Sequence, residues 1–420
     1  MMSGDGFYKK HKQAIRWSVR LFILGLSIFF LIGGPLPEHA VRWVPALSPL
    51  AALSSTLAHQ VWYVSLVWTL PALGILLLSL LKGRFFCRWI CPLGTIYSIP
   101  SQFSAKKRIL PWKLNGYLFW FTISASVAGL PLILFLDPLS TFTRFGVLGQ
   151  GTAHAMAWIP GALIPVFLLL SFVQPHIWCM QLCPLGYMVE KLKVKTPQTD
   201  RSIKSSRREI LTGLALGVPT AMVLKQNARA VQPPVLPPGA KTLDDFAATC
   251  MRCYACVKAC PTGVLTVRKE GGLAELCLPE MDFDRMDGSY CEQYCNICTT
   301  VCPTGAIQFL SEENKQMRRI ATARIRRGAC LAWEDRQECM ACDEFCSYNA
   351  IEMHDGKDGI PLPEINPLKC RGCGACRNIC PAVKKGNAIE ITPLSEQTVV
   401  TTQDEESAVE HGRRRRRWAL

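Results

Sequence analysis

Residues 250–261 read Cys-Met-Arg-Cys-Tyr-Ala-Cys-Val-Lys-Ala-Cys-Pro, so four cysteines fall within eleven positions and a proline follows the last. Three related runs follow along the chain. The second has the spacing C-x3-C-x2-C-x3-C-P, the third has C-x8-C-x2-C-x3-C without the proline, and the fourth repeats the first. The sixteen cysteines are Cys250, Cys253, Cys256, Cys260, Cys291, Cys295, Cys298, Cys302, Cys330, Cys339, Cys342, Cys346, Cys370, Cys373, Cys376 and Cys380.

This spacing predicts four 4Fe–4S clusters. Three thiolates on one tight loop can reach three corners of a cubane, and the fourth cysteine, before proline, serves a neighbouring cluster. Similar short tails follow the runs, Pro-Thr-Gly-Val-Leu at 261–265 and Pro-Thr-Gly-Ala-Ile at 303–307, which indicates a duplicated two-cluster unit. Zinc sites usually use two separated cysteine pairs, and disulfides require no such repeat, so both alternatives fit the pattern poorly. Cys277 lies outside every run and is interpreted as a buried or spare thiol.

Composition divides the chain into two halves. Nine of the eleven tryptophans precede residue 180, whereas seventeen of the twenty-one cysteines follow residue 249. The net charge of +15 lies entirely in residues 1–209, with 21 Lys and Arg against 6 Asp and Glu, while residues 210–420 hold 26 of each. The excess charge therefore belongs to the apolar half, where membrane topology explains it and a nucleic-acid partner is not expected.

Four apolar stretches predict transmembrane helices at Trp17–Leu36, Val61–Leu81, Tyr117–Leu136 and Trp158–Trp178. Each approaches the roughly 20 helical residues that cross a hydrocarbon core. Arg20 is an exception to their apolar character. Nineteen Lys and Arg lie in the N-terminal segment and in the loops around 82–113 and 179–209, against two in the alternate loops. The positive-inside rule then predicts a cytoplasmic N-terminus, with residues 37–60 and 137–157 facing outward.

A fifth apolar run, Ile210–Leu224, follows Ser205-Ser206-Arg207-Arg208, and Ala228-Arg229-Ala230 comes after it. This arrangement resembles a twin-arginine export signal with a cleavage site; an ordinary interfacial helix is the alternative. Twin-arginine export moves folded proteins, as a domain with inserted clusters requires. We therefore expect the second half to be periplasmic, with the chain in the bacterial inner membrane.

The apolar half has its own cysteines, in the repeated motif Cys-x3-Cys-Pro-Leu-Gly. Spacing i, i+4 predicts that both thiols of each pair lie on one helix face. The two pairs, Cys87 with Cys91 and Cys179 with Cys183, are candidate ligands for one further cluster; a redox-active or plain dithiol is the alternative.

On these residues the apolar half resembles the NapH-type quinol dehydrogenase membrane components of periplasmic nitrate reduction. The half that begins at Arg207-Arg208 is similar to the NapG- and MauM-type periplasmic ferredoxins. The resemblance covers residues 1–395 as two fused partners. It implies oxidation of membrane quinol, with electrons passed to a periplasmic c-type cytochrome or terminal reductase. The alternative is a maturation or regulatory protein that reduces or reactivates a partner metalloenzyme.

The predicted fold is a membrane all-α bundle of four to five transmembrane helices, in contact with the lipid bilayer, followed by an α+β ferredoxin-like domain. The predicted divisions are a helical domain at 1–204, the signal-like segment at 205–230, a Pro-rich linker at 231–240, the four-cluster domain at 241–395 and a disordered tail at 396–420. The sequence assigns no quinol-binding residue. His59, Asp137, His154 and His176 lie near the predicted span ends and are read as interfacial polar residues.

Overall fold

The structure is a computed structural model. It describes most of the chain, with gaps between the described segments and none of the last twenty residues. The described residues are 4–32, 41–53, 66–104, 114–130, 136–148, 162–192, 207–226, 233–268, 270–272, 275–284, 288–356, 358–382 and 386–400.

The first half is helical, in agreement with its apolar character. Each of the four predicted spans contains a helix. The helices and their bounds are α1 (Gly4–Ile32), α2 (Trp43–Ala46), α3 (Leu66–Lys82), α4 (Phe85–Trp89), α5 (Pro92–Ser101), α6 (Asn115–Val127), α7 (Pro138–Leu148), α8 (Leu163–Val173), a π-helical turn (Trp178–Leu182), α9 (Pro184–Leu192) and α10 (Arg207–Gln226).

Among the described helices, one segment, His11–Leu31 of α1, has the length and hydropathy of a membrane span. Leu70–Lys82 and Leu163–Val173 are apolar but shorter. The bundle of four to five transmembrane helices therefore stays a prediction.

The described residues of the second half contain three two-stranded antiparallel sheets. One sheet pairs β1 (Leu265–Val267) with β2 (Pro279–Met281). The others pair β3 (Arg318–Ile325) with β6 (Ile389–Val399), and β4 (Ile351–Asp355) with β5 (Pro361–Ile365). The β1–β2 sheet lies between runs one and two, and the β4–β5 sheet lies between runs three and four. The strands of the β3–β6 sheet flank runs three and four. The sequence repeat is thus also a repeat of structural units.

Short helices carry the cysteine runs between these strands. Their bounds are α11 (Leu243–Thr249), α12 (Ala255–Ala259), α13 (Ile297–Val301), α14 (Glu312–Gln316), α15 (Leu331–Glu334), α16 (Ala341–Glu344) and α17 (Ala375–Ile379). With the three sheets they form the α+β two-cluster domains that the sequence predicts.

The Pro-rich segment packs against the second half. Val235 O accepts a hydrogen bond from Met281 N at 2.9 Å, and Gly239 O accepts one from Gln308 N at 3.0 Å. The side chain of Gln397 bonds to the same segment, because its Oε1 accepts from Gly239 N at 3.0 Å. Residues 233–240 and the end of β6, beyond the predicted boundary at 395, are therefore tied to the ferredoxin-like half.

Candidate iron–sulfur sites

Proline determines where three of the cysteine-bearing helices end. Cys260, Cys302 and Cys380 each follow a short helix directly and precede a proline. A residue before proline is forced out of the helical region, and all three have extended backbones with ψ of 112°, 114° and 120°. The fourth cysteine of each of these runs is therefore turned away from the loop that holds the first three.

The loops of runs one and four have the same backbone shape. Arg252 and Tyr254 have φ of 52° and 62°, and the matching Gly372 and Gly374 have φ of 72° and 82°. Left-handed backbone costs an L-residue energy that glycine does not incur. Run one adopts this strained shape with two large residues, which indicates that the loop is held by its surroundings.

The sixteen cysteines gather into four sets, each of which takes its fourth thiol from another run. Three sets line cavities, and the remaining set is connected by the electrostatic interaction of Cys302 with the first loop. We name them site 1 (Cys250, Cys253, Cys256, Cys302), site 2 (Cys260, Cys291, Cys295, Cys298), site 3 (Cys330, Cys339, Cys342, Cys380) and site 4 (Cys346, Cys370, Cys373, Cys376).

The cavities at sites 2, 3 and 4 are equal in size, each with a volume of about 20 Å³. Equal cavities, each lined by four thiols, fit the same bound group at each site. Among the described residues, no three His, Cys, Asp or Glu side chains come close enough to share a single metal ion. Each of the four sites supplies four cysteines, and four thiolates are the ligands of a 4Fe–4S cluster.

Burial raises the pKa of several of these thiols, including one in each of sites 1, 3 and 4. Desolvation raises the pKa of Cys253 to about 12, and it raises the pKa of Cys342 and of Cys373 to about 12 as well. Iron binding replaces such protons, so the buried negative charge is formed only together with its cation.

Backbone amides point at several of the sulfur atoms. Arg252 N donates to Cys250 Sγ at 3.4 Å, Ile307 N to Cys302 Sγ at 3.4 Å, and Ala350 N to Cys346 Sγ at 3.3 Å. Hydrogen bonds to cysteine sulfur are one of the ways in which a protein sets the reduction potential of a cluster.

The four sites form a continuous series. Sites 1 and 2 exchange their fourth cysteines, and so do sites 3 and 4. A backbone hydrogen bond from Cys291 N to Cys373 O, 2.8 Å long, joins site 2 to site 4. The half-buried Tyr348 lies beside the same two cysteines, where it interacts with both. The order in space is therefore sites 1, 2, 4 and 3.

The helical-half cysteines differ from the prediction that each pair shares one helix face. Cys87 lies in α4, which ends at Trp89, and Cys91 caps the start of α5. Cys179 lies in the π-helical turn, and Cys183 ends that turn and precedes α9. The prediction was wrong because Pro92 and Pro184 begin new helices and place the preceding cysteine in extended backbone.

The repeated Pro-Leu-Gly tail has a geometric role at both pairs. Gly94 N donates to Cys91 Sγ and Gly186 N donates to Cys183 Sγ, each at 3.4 Å. A Cβ on Gly94 would lie 2.9 Å from Cys87 O, and glycine therefore lets the two cysteines of the motif come together.

The two pairs also face each other. Cys91 interacts electrostatically with Cys87 and Cys179, and Cys183 with Cys87 and Cys91. We call these four thiols the helical-half site.

Two arginines flank the helical-half site. The buried Arg20 of α1 donates to Gly94 O at 2.7 Å, and its charge reaches Cys91 and Cys179. Arg84 donates to Cys179 O at 3.4 Å and forms an ion pair with Glu190. The sequence marks Arg20 as a charged residue inside a predicted span, which is a feature of functional residues in membrane proteins. The sequence does not show that Arg20 contacts the Cys-x3-Cys motif.

Helix α7 joins the helical-half site to site 1. The residue before the helix, the fully buried Asp137, interacts electrostatically with Cys91 and Cys183. Arg144, two turns along, is also fully buried, and its Nε donates to Arg252 O at 3.0 Å in the first cysteine loop. Seven residues of helix correspond to about 10 Å along the axis.

The segment at 137–148 was predicted as part of an outward loop. The structure has a buried helix there, and its only sequence signal is the single charge of Arg144. Asp137 accepts hydrogen bonds from Ser48 Oγ at 2.6 Å and Ser140 N at 2.9 Å. His176 is half-buried, and its backbone N donates to Ser101 Oγ. His59 and His154 lie outside the described residues.

Comparisons with known proteins agree with this division. Residues 64–111 and 155–195, which include the helical-half cysteines, match a family described as a 4Fe-4S binding domain. Residues 249–306 and 336–383 match a family described as a 4Fe-4S dicluster domain. The first region contains every cysteine of sites 1 and 2, and the second contains every cysteine of sites 3 and 4 except Cys330. No solved structure matches the chain.

Among curated relatives, the methylamine utilization ferredoxin-type protein MauM of Methylorubrum extorquens strain AM1 is 30% identical over 197 residues, 42% of this chain and 84% of the relative. The ferredoxin-type protein NapG of Escherichia coli strain K12 is 30% identical over 190 residues, 44% of this chain and 78% of the relative. NapF of the same strain is 30% identical over 180 residues, 43% of this chain and 92% of the relative. The chain is an iron–sulfur electron-transfer protein and belongs to the family of ferredoxin-type proteins that includes MauM, NapG and NapF.

Proposed function

We propose that this protein is a membrane-bound electron carrier that oxidises quinol and delivers the electrons to a periplasmic cytochrome or reductase. In this proposal the sixteen cysteines of sites 1 to 4 bind four 4Fe–4S clusters and the helical-half site binds a fifth. The domain boundaries are also part of the proposal, and they divide the chain into residues 1–204, 205–230, 231–240, 241–395 and 396–420. Residues 233–240 and 396–400 are assigned to the ferredoxin half.

Exposed apolar side chains on the helical half support a membrane location. Phe22 is 70% exposed, Leu81 74%, Leu169 67% and Leu211 66%. Each of these residues lies on a different apolar helix, and a lipid-facing helix exposes large apolar side chains in this way. The 19-to-2 distribution of Lys and Arg supports a cytoplasmic N-terminus.

The surroundings of the helical-half site support a fifth cluster there. Four thiols converge, two backbone amides point at sulfur, and Arg20 and Arg84 bring positive charge near a group that four thiolates would make anionic. A simple dithiol would not require the second pair or either arginine.

The observation that carries the proposal is the buried helix α7. It leads from Asp137, beside the helical-half site, to Arg144, against the first cysteine loop. Arg42, on the same side of the helical half, also has its charge within reach of Cys302 of site 1. A carrier that moves electrons from the lipid phase to a soluble acceptor needs this close approach of its two halves.

When bound, 4Fe–4S clusters exchange single electrons, which suits a quinol donor that gives up two. The residues of this chain would hold and tune them. Prolines end the helices before three of the fourth cysteines, and backbone amides bond to sulfur. The buried Arg20 lies beside the helical-half site, and the buried Arg144 of α7 lies against the first cysteine loop.

We would test the proposal by EPR on the anaerobically purified full chain, before and after addition of a reduced quinol analogue. We expect reduced-cluster signals on quinol addition. The double variant Cys91→Ala with Cys183→Ala should lose this response, while dithionite still reduces the clusters of sites 1 to 4. Lys12→Gln, on the exposed start of α1, is the control and should respond as the unmodified chain does.

One outcome would refute the dehydrogenase activity. In that outcome dithionite reduces the clusters and their potentials lie inside the range of the quinol, but quinol produces no EPR signal. That result would favour a maturation or regulatory protein supplied by another donor. A normal quinol response in the double variant would instead refute the role of the helical-half site.

A further inference from the structure

The segment that resembles an export signal forms helix α10, and its contacts are those of a permanent helix. One face of α10 is buried at Gly213, Gly217 and Ala221, which follow each other at four-residue intervals. Residues spaced by four lie on one face of a helix. This face rests on α6, and the two form the most extensive helix pair in the described structure.

The backbones of α6 and α10 approach each other closely. A Cβ added to Gly213 would lie 2.5 Å from Trp120 Cβ and 2.7 Å from Phe121 N, and one added to Gly217 would lie 2.5 Å from Phe121 O. Small residues four apart allow helices to approach in this way inside membranes, where van der Waals packing replaces the hydrophobic effect as the driving force. Ser124 adds a hydrogen bond from its Oγ to Gly213 O at 3.0 Å.

Contacts continue along α10 from its first turn to its fourth. Tyr187 of α9 donates its hydroxyl to Glu209 Oε2 at 3.0 Å, and Gly116 leaves room for that carboxylate. Ala221 forms a fully buried cluster with Ala125 and Leu130 near the other end. A signal that is cut away would remove this face and expose α6.

The opposite face of α10 is apolar and unprotected. Leu211, Leu216 and Met222 are 66%, 57% and 58% exposed. The helix has 20 residues, about 30 Å, and its apolar run Ile210–Leu224 accounts for about 22 Å of that length. Lipid is the surrounding that suits such a face.

The two helices run parallel, because Glu209 lies near Gly116 and Gly217 lies near Ser124. The ends of α6 and α10 therefore emerge on the same side. The chain that follows α6 leads into α7, which contacts the first cysteine loop. The described residues of the ferredoxin half begin at 233, and α10 ends at Gln226.

We propose that α10 is a permanent lipid-facing helix of the bundle, packed on α6, and that the chain stays uncut after it. The ferredoxin half would then be tethered at the membrane instead of being released to the periplasm. This inference rests on the membrane location proposed above, and it adds a distinct role for the segment that resembles an export signal.

The test uses the full chain with an epitope tag at its C-terminus, expressed in a bacterium with the twin-arginine system. Spheroplasts are separated into membrane and periplasmic fractions, and each fraction is immunoblotted after a carbonate wash. We expect one band of the full 46.7 kDa plus the tag, in the membrane fraction. A soluble periplasmic fragment that begins near residue 231 would overturn the inference while leaving the membrane location intact. A full-length chain that carbonate extracts from the membrane would refute the membrane location itself.

A matched pair of substitutions tests the packing face. Gly217→Leu places a side chain against Ser124 and Phe121, whereas Ala215→Leu adds the same bulk on the exposed face. In detergent we expect trypsin to digest the Gly217→Leu chain about tenfold faster or more at the end of α10, and Ala215→Leu to match the unmodified chain. Equal digestion of the two variants would overturn the α6–α10 contact.

Discussion

Arg144 is the residue on which the contact between the two halves depends most directly. It is fully buried, its Nε donates to Arg252 O at 3.0 Å, and its Nη2 donates to Met251 O at 3.4 Å. Its guanidinium also lies 6.0 Å from the ring centre of Tyr254. Replacing it by methionine keeps much of the side-chain volume but removes the charge and both of these donors.

The expected effect follows from the two carbonyls that lose their donor. A buried acceptor left unsatisfied costs about 1–3 kcal/mol, so the first cysteine loop should lose about 2–4 kcal/mol of stability once some relaxation is allowed. At 1.4 kcal/mol per factor of ten, local opening of this loop should become about 30 to 700 times more frequent. Opening exposes Cys250 and Cys253, two of the thiols of site 1.

Iron release to a ferrous chelator, followed under anaerobic conditions, measures this opening. Arg144→Met should show a fast phase that accounts for about the four irons of one 4Fe–4S cluster, with the remaining iron released as in the unmodified chain. Arg336→Met is the control, because Arg336 is 52% exposed and its ion pair with Asp358 is of the surface kind that contributes little. Release curves that coincide for the two variants would refute the role given to Arg144.

Two further variants test the sites themselves. Cys302→Ala should abolish the same EPR signal as Cys250→Ala, because both cysteines belong to site 1 although they come from different runs. If Cys302→Ala instead abolished the signal that Cys298→Ala removes, the exchange of fourth cysteines would be refuted. Gly374→Ala should destabilise its unit by about 2–5 kcal/mol, since strain at φ of 82° adds to a clash with Phe283, whereas Gly359→Ala, at φ of 75° in open space, should cost about 1–2 kcal/mol. Thermal unfolding measures both glycine variants, and equal losses would refute the contribution of the clash.

The cysteine sites were largely predictable because their chemistry is local. Three thiols within seven residues can form part of a site in any fold, and proline after the fourth cysteine forces that residue out of the helix. The exchange of fourth cysteines was therefore expected. The order of the sites was not, because the Cys291–Cys373 hydrogen bond joins residues more than eighty positions apart.

Other parts of the fold depend on contacts that no spacing reveals. The i, i+4 spacing of Cys87 and Cys91 suggested one helix face, but Pro92 divides the segment into two helices. The Pro-rich segment looked like a linker, yet its backbone pairs with Gln397, a residue assigned to the tail. In the first case the adjacent Pro92 overrides the local pattern, and in the second case Gln397, far along the chain, overrides it.

The buried charge in the contact between the two halves gives a reason for joining both halves in one chain. Burying a guanidinium removes it from water at a high energetic cost, which only fixed partners such as the carbonyls of Met251 and Arg252 can offset. Partners that meet transiently would incur that cost at each encounter, and their interfaces are generally more hydrated. A covalent connection through α10 keeps the first cysteine loop at high effective concentration beside α7, so the contact can stay formed. If the tether is lost while Arg144 remains, the separated ferredoxin half should bind the helical half weakly, which size-exclusion chromatography of a chain cleaved at an engineered protease site within residues 227–232 would measure. Stable association after cleavage would show that Arg144 and its surroundings are sufficient without the tether.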